Sequence, residues 1–85
     1  MPPIPTVRPN GAALRTFRRL RGLTAPQLSA KSGVAQSAIS YYENEQKNPS
    51  LQILSKLADA LRVPVQAVSK DDLGEVDEAP ALRAS

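Results

Sequence analysis

The chain has 85 residues and a net charge of +3, and one Phe and two Tyr are its whole aromatic content, which leaves an aliphatic core. It contains no Cys and no His, which excludes disulfides and the two commonest zinc ligands. No apolar run approaches the roughly 20 residues of a membrane span. We therefore expect one small cytoplasmic domain with tails, without a metal, a cofactor or membrane contact.

The charge is unevenly distributed along the chain. Residues 1–70 contain ten Lys and Arg against three acidic residues, whereas residues 71–85 contain one Arg against five acidic residues. The basic part favours a polyanion as partner. The acidic end has no consistent hydrophobic period, so we expect residues 71–85 to be a disordered tail and a possible contact for a protein partner.

The N-terminal residues 1–9 are expected to form a flexible, extended arm, because three prolines among the first five residues forbid a regular element. Asn10 is then a suitable N-cap for a first helix, in which Leu14 and Phe17 lie at helical spacing. Gly22 is placed to end that helix.

The next two helices are predicted to be short and joined by a glycine turn. Thr24 and Gln27 have the spacing of a capping box at the start of the second helix. Gly33 suits a left-handed turn a few residues later. A third helix is predicted over residues 36–43, although the residue before it, Ala35, is a poor N-cap.

The strongest apolar stripe follows Ser50, which is another good N-cap. The stripe consists of Leu51, Leu54, Leu57, Ala58 and Leu61. Pro64 then starts a fifth short helix, with Val65 and Val68 directed inward. The sequence thus predicts an all-α domain of five helices over residues 10–70, with no strand.

The spacing within residues 25–42 is more specific than a pair of helices. Counted from Ala25, a small residue, Ser29, stands fifth and a glycine, Gly33, stands ninth. The fifth position must be small because the two helices cross closely, and the ninth must allow a positive φ. Apolar residues that fill the shared core stand fourth, tenth, fifteenth and eighteenth, at Leu28, Val34, Ile39 and Tyr42. This is the spacing of a DNA-binding helix-turn-helix.

Residues 14–68 resemble the Cro and phage-repressor (XRE-type) family of helix-turn-helix proteins through the segments LRGLT, QLSAKSGV, AISYYEN, NPS and LADALRV. The resemblance implies a compact lambda-repressor-like fold with the helix-turn-helix in helices 2 and 3. Four residues depart from the family pattern. Ala25 stands where a Gln often touches DNA, and Ser29 replaces Ala. Ala35 replaces a capping Ser or Thr, and Glu45 replaces the Gly that often ends the third helix.

The resemblance also implies roles for residues on and around the third helix. It pairs Arg18 with Glu43 as a structural ion pair. Four polar side chains face outward on the third helix and suit base contacts in a major groove: Gln36, Ser37, Ser40 and Tyr41. Contacts to the DNA backbone are expected from six residues at the edges: Thr24, Ala25, Gln27, Asn44, Lys47 and Asn48. The alternative for both sets is an ordinary solvated surface of caps and polar loop residues.

The expected function is a sequence-specific regulator of transcription that represses by binding an operator in double-stranded DNA. One short helix reads few base pairs, so we expect a homodimer on two half-sites about 34 Å apart. Val65 and Val68 either form the dimer surface or close the core. An enzyme is disfavoured because His, Cys and a Gly-rich phosphate loop are absent. The alternative is an antitoxin or a coactivator-like module that uses the same fold to bind protein.

Overall fold

The computed structural model describes residues 6–71, and within that range the protein is all-helical apart from two isolated β-bridges. The elements in chain order are α1 (Gly11–Leu20), α2 (Ala25–Ser32), α3 (Gln36–Glu43), α4 (Leu51–Leu61) and a 3-10 helix (Val65–Val68). α2 packs against α3 and α4, and α1 packs against α3 and the 3-10 helix. The predicted all-α class is confirmed.

The predicted fifth helix is a single turn of 3-10 helix (Val65–Val68) rather than an α-helix. Its first bond runs from the Ala67 N–H to the Pro64 carbonyl at 2.9 Å, which is a three-residue step. Ser69 is already extended and pairs with Pro9 in one of the β-bridges. The chain therefore leaves the helical conformation after four residues, before an α-helical turn is established.

The core is aliphatic, as the composition predicts, and it is formed by all five elements. Its buried apolar residues are Val7, Leu14, Leu28, Val34, Ile39, Leu54, Leu57, Ala58, Leu61 and Val68. Val65 is partly buried against this core, and Val68 is fully buried in it. Val68 therefore closes the core and offers no side-chain surface to a second subunit.

Three of the four α-helices begin with the predicted N-caps. The side chains of Asn10, Thr24 and Ser50 each accept a hydrogen bond from the N–H three residues later, at 3.1, 3.3 and 3.1 Å. The Thr24 N–H donates in return to the Gln27 side chain at 2.8 Å, which completes the capping box. Ala35 gives α3 no side-chain cap, so α3 starts without this stabilisation.

The helices end at residues with a left-handed backbone. After α1 and α2 these are Gly22 and Gly33, with φ of +69° and +78°, as predicted. After α3 and α4 they are Glu45 and Arg62, with φ of +57° and +60°. A left-handed conformation costs a residue with a Cβ roughly 1 to 2 kcal/mol. Glu45 therefore needs a compensating interaction if it is to replace glycine without a loss of stability.

The described part of the predicted flexible arm, residues 6–9, is held against the domain. It is extended, as the prolines require, but the Val7 N–H donates to the Pro49 carbonyl at 2.9 Å. The Val7 side chain is only 9% exposed and belongs to the core. Proline excludes a helix here but leaves extended pairing open, which the prediction did not consider. Residues 1–5 lie outside the described residues.

The packed domain also extends slightly beyond the predicted boundary at residue 70. The Lys70 N–H donates to the Arg8 carbonyl at 2.9 Å, and Arg8 Nε lies 2.7 Å from Asp71 Oδ1. The Arg8 backbone N–H and guanidinium both donate to Asp71, and they lower the pKa of that carboxyl. The remainder of the predicted acidic tail, residues 72–85, lies outside the described residues.

Candidate nucleic-acid interface

A tight turn fixes the angle between α2 and α3. Gly33 has the left-handed backbone, and its N–H donates to the Ser29 carbonyl at 2.9 Å. Val34 is 4% exposed and anchors the turn in the core. Below it, Leu28 of α2 and Ile39 of α3 are 0% and 1% exposed. One face of α3 is therefore pinned to the body of the domain.

The opposite face of α3 carries the four polar side chains predicted for base contacts. Gln36, Ser37 and Ser40 are exposed, and Tyr41 is 40% exposed. These four side chains offer amide, hydroxyl and phenol groups, which can each donate and accept hydrogen bonds. The arrangement is a rigid helix that presents a row of hydrogen-bonding groups outward.

The start of α2 carries three of the residues predicted to contact the DNA backbone. Thr24 and Gln27 are exposed, and Ala25 is partly buried as the first residue of the helix. Pro26 has no N–H, and the Gln27 N–H already donates to Thr24, so within this described segment the first turn presents chiefly the Ala25 N–H to an outside acceptor. The Gln27 side chain uses its oxygen in the capping box, which leaves its NH2 group to donate.

The loop after α3 forms one edge of the outward face of α3, and Asn44, Lys47 and Asn48 are all exposed there. The loop folds back so that Lys47 Nζ lies 4.4 Å from the centroid of the Tyr41 ring. A cation over an aromatic face is stabilised by the ring quadrupole, by about 0.5 to 1 kcal/mol at exposed sites. The Lys47 charge is thus held beside the outward face of α3.

An ion pair between α1 and α3 fixes the far end of α3. Arg18 Nε lies 2.7 Å from Glu43 Oε2, and Arg18 Nη2 lies 3.1 Å from Glu43 Oε1. Their side chains are 14% and 6% exposed. The hydrogen bonds to Glu43 raise the pKa of Arg18, although burial opposes part of this effect. Arg18 also donates to the Leu23 carbonyl at 3.0 Å, so the ion pair is tied to the start of α2 as well.

Arg15 is a site residue that the sequence reasoning did not assign. Its Nη2 donates to Asn44 Oδ1 at 3.1 Å, and its Nε lies 3.4 Å from Glu43 Oε1. Arg15 stands three residues before Arg18 and therefore on the same face of α1. That spacing was the available signal, but the target residues are 28 and 29 positions away in sequence.

Glu45, the residue that departs from the family glycine, joins three segments. Its Oε2 accepts from the Gly11 N–H at 2.9 Å, and its Oε1 pairs with Lys70 Nζ. The bond to Lys70 and then the bond to Gly11 lower the pKa of the Glu45 carboxyl. A carboxylate at the first residue of α1 is also favoured by the helix dipole. These interactions offset the left-handed backbone, which explains why glycine is not needed at this position.

The two crossed helices, their left-handed glycine turn and the outward polar face of α3 define a helix-turn-helix domain. The family described as Helix-turn-helix matches residues 14–68 of the chain. The chain belongs to this family, of the XRE type that its sequence resembles.

The relatives of the chain are named as transcription regulators. It is 38% identical over 69 residues to the HTH-type transcriptional regulator SinR of Bacillus licheniformis, covering 80% of this chain and 59% of SinR. Among solved structures, the restriction-modification controller protein C.AhdI from Aeromonas hydrophila superposes with a TM-score of 0.64 at 35% identity, covering 67% of this chain and 86% of that one. A structure of SinR in complex with DNA superposes with a TM-score of 0.63 at 35% identity, covering 66% of this chain and 90% of that one. The chain thus spans little more than half the length of SinR.

Two further properties concern the described residues alone. None of the helices within residues 6–71 is long and apolar enough to cross a membrane. The same range contains no group of three or more acidic, Cys or His side chains that is placed to hold a metal ion.

Proposed function

We propose that the protein is a transcriptional repressor that binds double-stranded DNA in a sequence-specific manner through α3. The observation that carries the proposal is the helix itself, which is pinned on one face by Ile39 and Glu43 and polar on the other. Relatives that are HTH-type transcriptional regulators, and a SinR structure with DNA, support the same reading. The activity is binding without catalysis, and it takes place in the cytoplasm.

In this proposal the outward residues of α3 read base edges in the major groove. The Gln36 amide suits a paired contact to N6 and N7 of adenine, and the Ser37 and Ser40 hydroxyls suit either a donor or an acceptor. Tyr41 reaches a thymine methyl or a phosphate. Because the helix fixes the backbone of these residues before binding, only their side chains lose freedom on DNA, which favours discrimination between bases.

Groups at both edges of α3 would hold the DNA backbone. Lys47, held over Tyr41, supplies a charge for one phosphate, and the neighbouring Asn44 and Asn48 supply amide donors. At the other edge, the positive end of the α2 dipole and the Ala25 N–H suit a further phosphate, with Thr24 and Gln27 beside them. Such contacts fix the register of the protein on the duplex and carry little sequence information.

The proposal includes a homodimer on a symmetric operator. α3 has eight residues and so reaches only a few base pairs, too few to specify a unique site. A two-fold dimer would read the same few bases twice, with half-site centres about 34 Å apart or a multiple of that distance.

Selection of bound sequences from random double-stranded DNA tests this function. We expect enrichment of an inverted repeat whose half-sites are one or more helical turns apart. The matched control is the Gln36→Ala, Ser37→Ala double variant, whose helix should remain folded because both side chains are exposed. An absence of enrichment with the wild-type protein would refute the proposal and favour a protein partner, as in the antitoxin or coactivator alternative.

A further inference from the structure

Arg15 contacts the end of α3, although the Glu43 carboxylate there is already neutralised by Arg18. Glu43 already receives two hydrogen bonds from Arg18, at 2.7 and 3.1 Å, whereas the Arg15 contact to Glu43 is longer, at 3.4 Å. The shorter Arg15 interaction is the one to Asn44 Oδ1, at 3.1 Å. Arg15 is 40% exposed, so its position also costs side-chain freedom that a solvated arginine would keep.

The chemistry of the guanidinium determines which end of the Asn44 amide faces it. Arginine carries five N–H donors and no acceptor, so the amide atom toward Arg15 must be the oxygen. The Asn44 NH2 group then points away from Arg15. The Asn44 backbone is fixed as well, because its N–H donates to the Ser40 carbonyl at 3.0 Å. The side-chain amide is thus held in one of its two orientations, and its NH2 group donates to no other residue within the described range 6–71.

This orientation matters for a phosphate. A phosphate oxygen is an acceptor, so it binds the NH2 end of an amide and repels the oxygen end. An amide free to turn would present either end. We propose that Arg15 is a positioning residue, which holds the Asn44 amide with its NH2 group directed to a phosphate beside the end of α3. The inference rests on the proposed DNA-binding function.

The test compares Arg15→Met with Arg19→Met in binding to the selected operator and to random DNA. Arg19 lies one turn further along α1, is exposed, and carries the same charge, so it controls for charge loss. We expect Arg15→Met to weaken binding to both DNAs about three- to tenfold, and more than Arg19→Met, because one hydrogen bond loses its fixed geometry. Glu43 keeps Arg18 in this variant, so the fold should be retained.

A double-mutant cycle with Asn44→Ala separates positioning from a direct contact. If Arg15 acts through Asn44, the Arg15→Met, Asn44→Ala double variant binds no more weakly than Asn44→Ala, apart from the loss of one positive charge that Arg19→Met measures. Its salt dependence then changes no more than that of Arg19→Met. Additive losses, together with a salt slope lower by about one, would mean that Arg15 itself touches a phosphate, and the inference would be overturned. Equal losses for Arg15→Met and Arg19→Met would also overturn it.

A second measurement requires no DNA. The NMR signals of the Asn44 side-chain NH2 group should move in Arg15→Met and stay in place in Arg19→Met, and unchanged signals in both would contradict the inference. If the wild-type protein selects an operator and Arg15→Met binds that operator normally, the proposed role of Arg15 is refuted and the proposed function stands. Wild-type protein that prefers no DNA would refute the proposed function and the inference with it.

Discussion

The Nε atom of Arg18 in α1 lies 2.7 Å from Oε2 of Glu43, the last residue of α3. Both side chains are largely buried, and the same guanidinium reaches the Leu23 carbonyl before α2. One arginine of α1 therefore contacts both the end of α3 and the residue just before the N-cap of α2. These three helices set the orientation of the outward face of α3, which is the proposed base-reading surface. Gly11 closes the same junction, since it packs directly on the Glu43 carbonyl.

Removal of Arg18 should destabilise the domain strongly. Arg18→Met leaves the Glu43 carboxylate buried, and within residues 6–71 its remaining basic neighbour is Arg15, at 3.4 Å. Breaking a buried pair costs about 3 to 5 kcal/mol, and the residual Arg15 contact favours the lower end. Urea unfolding at pH 7 measures the change. The Arg18→Met, Glu43→Met double variant should recover much of the loss, and a double variant as unstable as the single one would contradict this account.

Gly11 should not tolerate even a methyl group. A Cβ at this position would come within 2.1 Å of the Glu43 carbonyl oxygen, which is backbone and cannot move aside cheaply. We expect Gly11→Ala to cost about 1 to 3 kcal/mol through forced displacement of α1 from α3. Helix propensity alone predicts the opposite sign, a gain that would be at most about 0.5 to 1 kcal/mol, the value for a helix interior. The sign of the change in thermal or urea unfolding therefore distinguishes the two effects.

A capping residue at position 35 should stabilise α3. The Ala35 side chain cannot accept a hydrogen bond from an N–H group of the first turn. Its backbone, at φ −57° and ψ 141°, is already non-helical, as an N-cap residue requires. Ala35→Ser should add about 1 kcal/mol to the free energy of unfolding. Ser50→Ala, which removes the cap bond to the Ile53 N–H at 3.1 Å, should subtract a similar amount. A loss of stability in Ala35→Ser would show that capping does not govern position 35, and an unchanged stability in Ser50→Ala would show the same for position 50.

Acid should weaken two sets of contacts, those of Glu45 with Gly11 and Lys70 and those of Asp71 with Arg8. The pKa values of Glu45 and Asp71 are lower in the folded protein than their ordinary values of 4.5 and 3.8. A lowered pKa contributes stability that is present above the ordinary value and is lost as pH falls through it toward the lower folded value. Stability should therefore fall progressively below about pH 4.5.

Neutral variants isolate this acid sensitivity. Glu45→Gln and Asp71→Asn should each be less stable than wild type at pH 7, and the difference should shrink as the pH falls below the ordinary pKa values of the two carboxyls toward their lower folded values. Urea unfolding across this range checks the expectation. Parallel pH profiles for wild type and both variants would show that other carboxyls dominate acid unfolding.

Base contacts and backbone contacts should respond differently to mutation. Gln36→Ala should cost about 1 to 3 kcal/mol on the selected operator and relax the preference at one base pair. Lys47→Ala should weaken binding to all DNA sequences alike and reduce the slope of the logarithm of the binding constant against the logarithm of salt concentration by about one. Titrations of operator and random DNA at several salt concentrations measure both. If Gln36→Ala weakened binding to the operator and to random DNA equally, Gln36 would not be a base contact.

Much of this protein follows from short-range rules in its sequence. The caps at Asn10, Thr24 and Ser50 act on an N–H three residues away, and Gly22 and Gly33 permit the turns that follow them. Helical periodicity also predicts which face of α3 is buried. Each of these rules needs only neighbours within one or two turns, so sequence spacing suffices to apply it.

Other features depend on residues that are distant in sequence and were settled by packing. Arg15 meets Asn44, Glu45 meets Gly11, and Val7 pairs with Pro49, across separations of 29, 34 and 42 residues. No local period encodes such pairings, because they require the mutual placement of helices that the core establishes. The contacts that hold residues 6–9 against the domain were not predicted for this reason. Only the folded junction of α1 with α3 explains why position 45 does not need glycine.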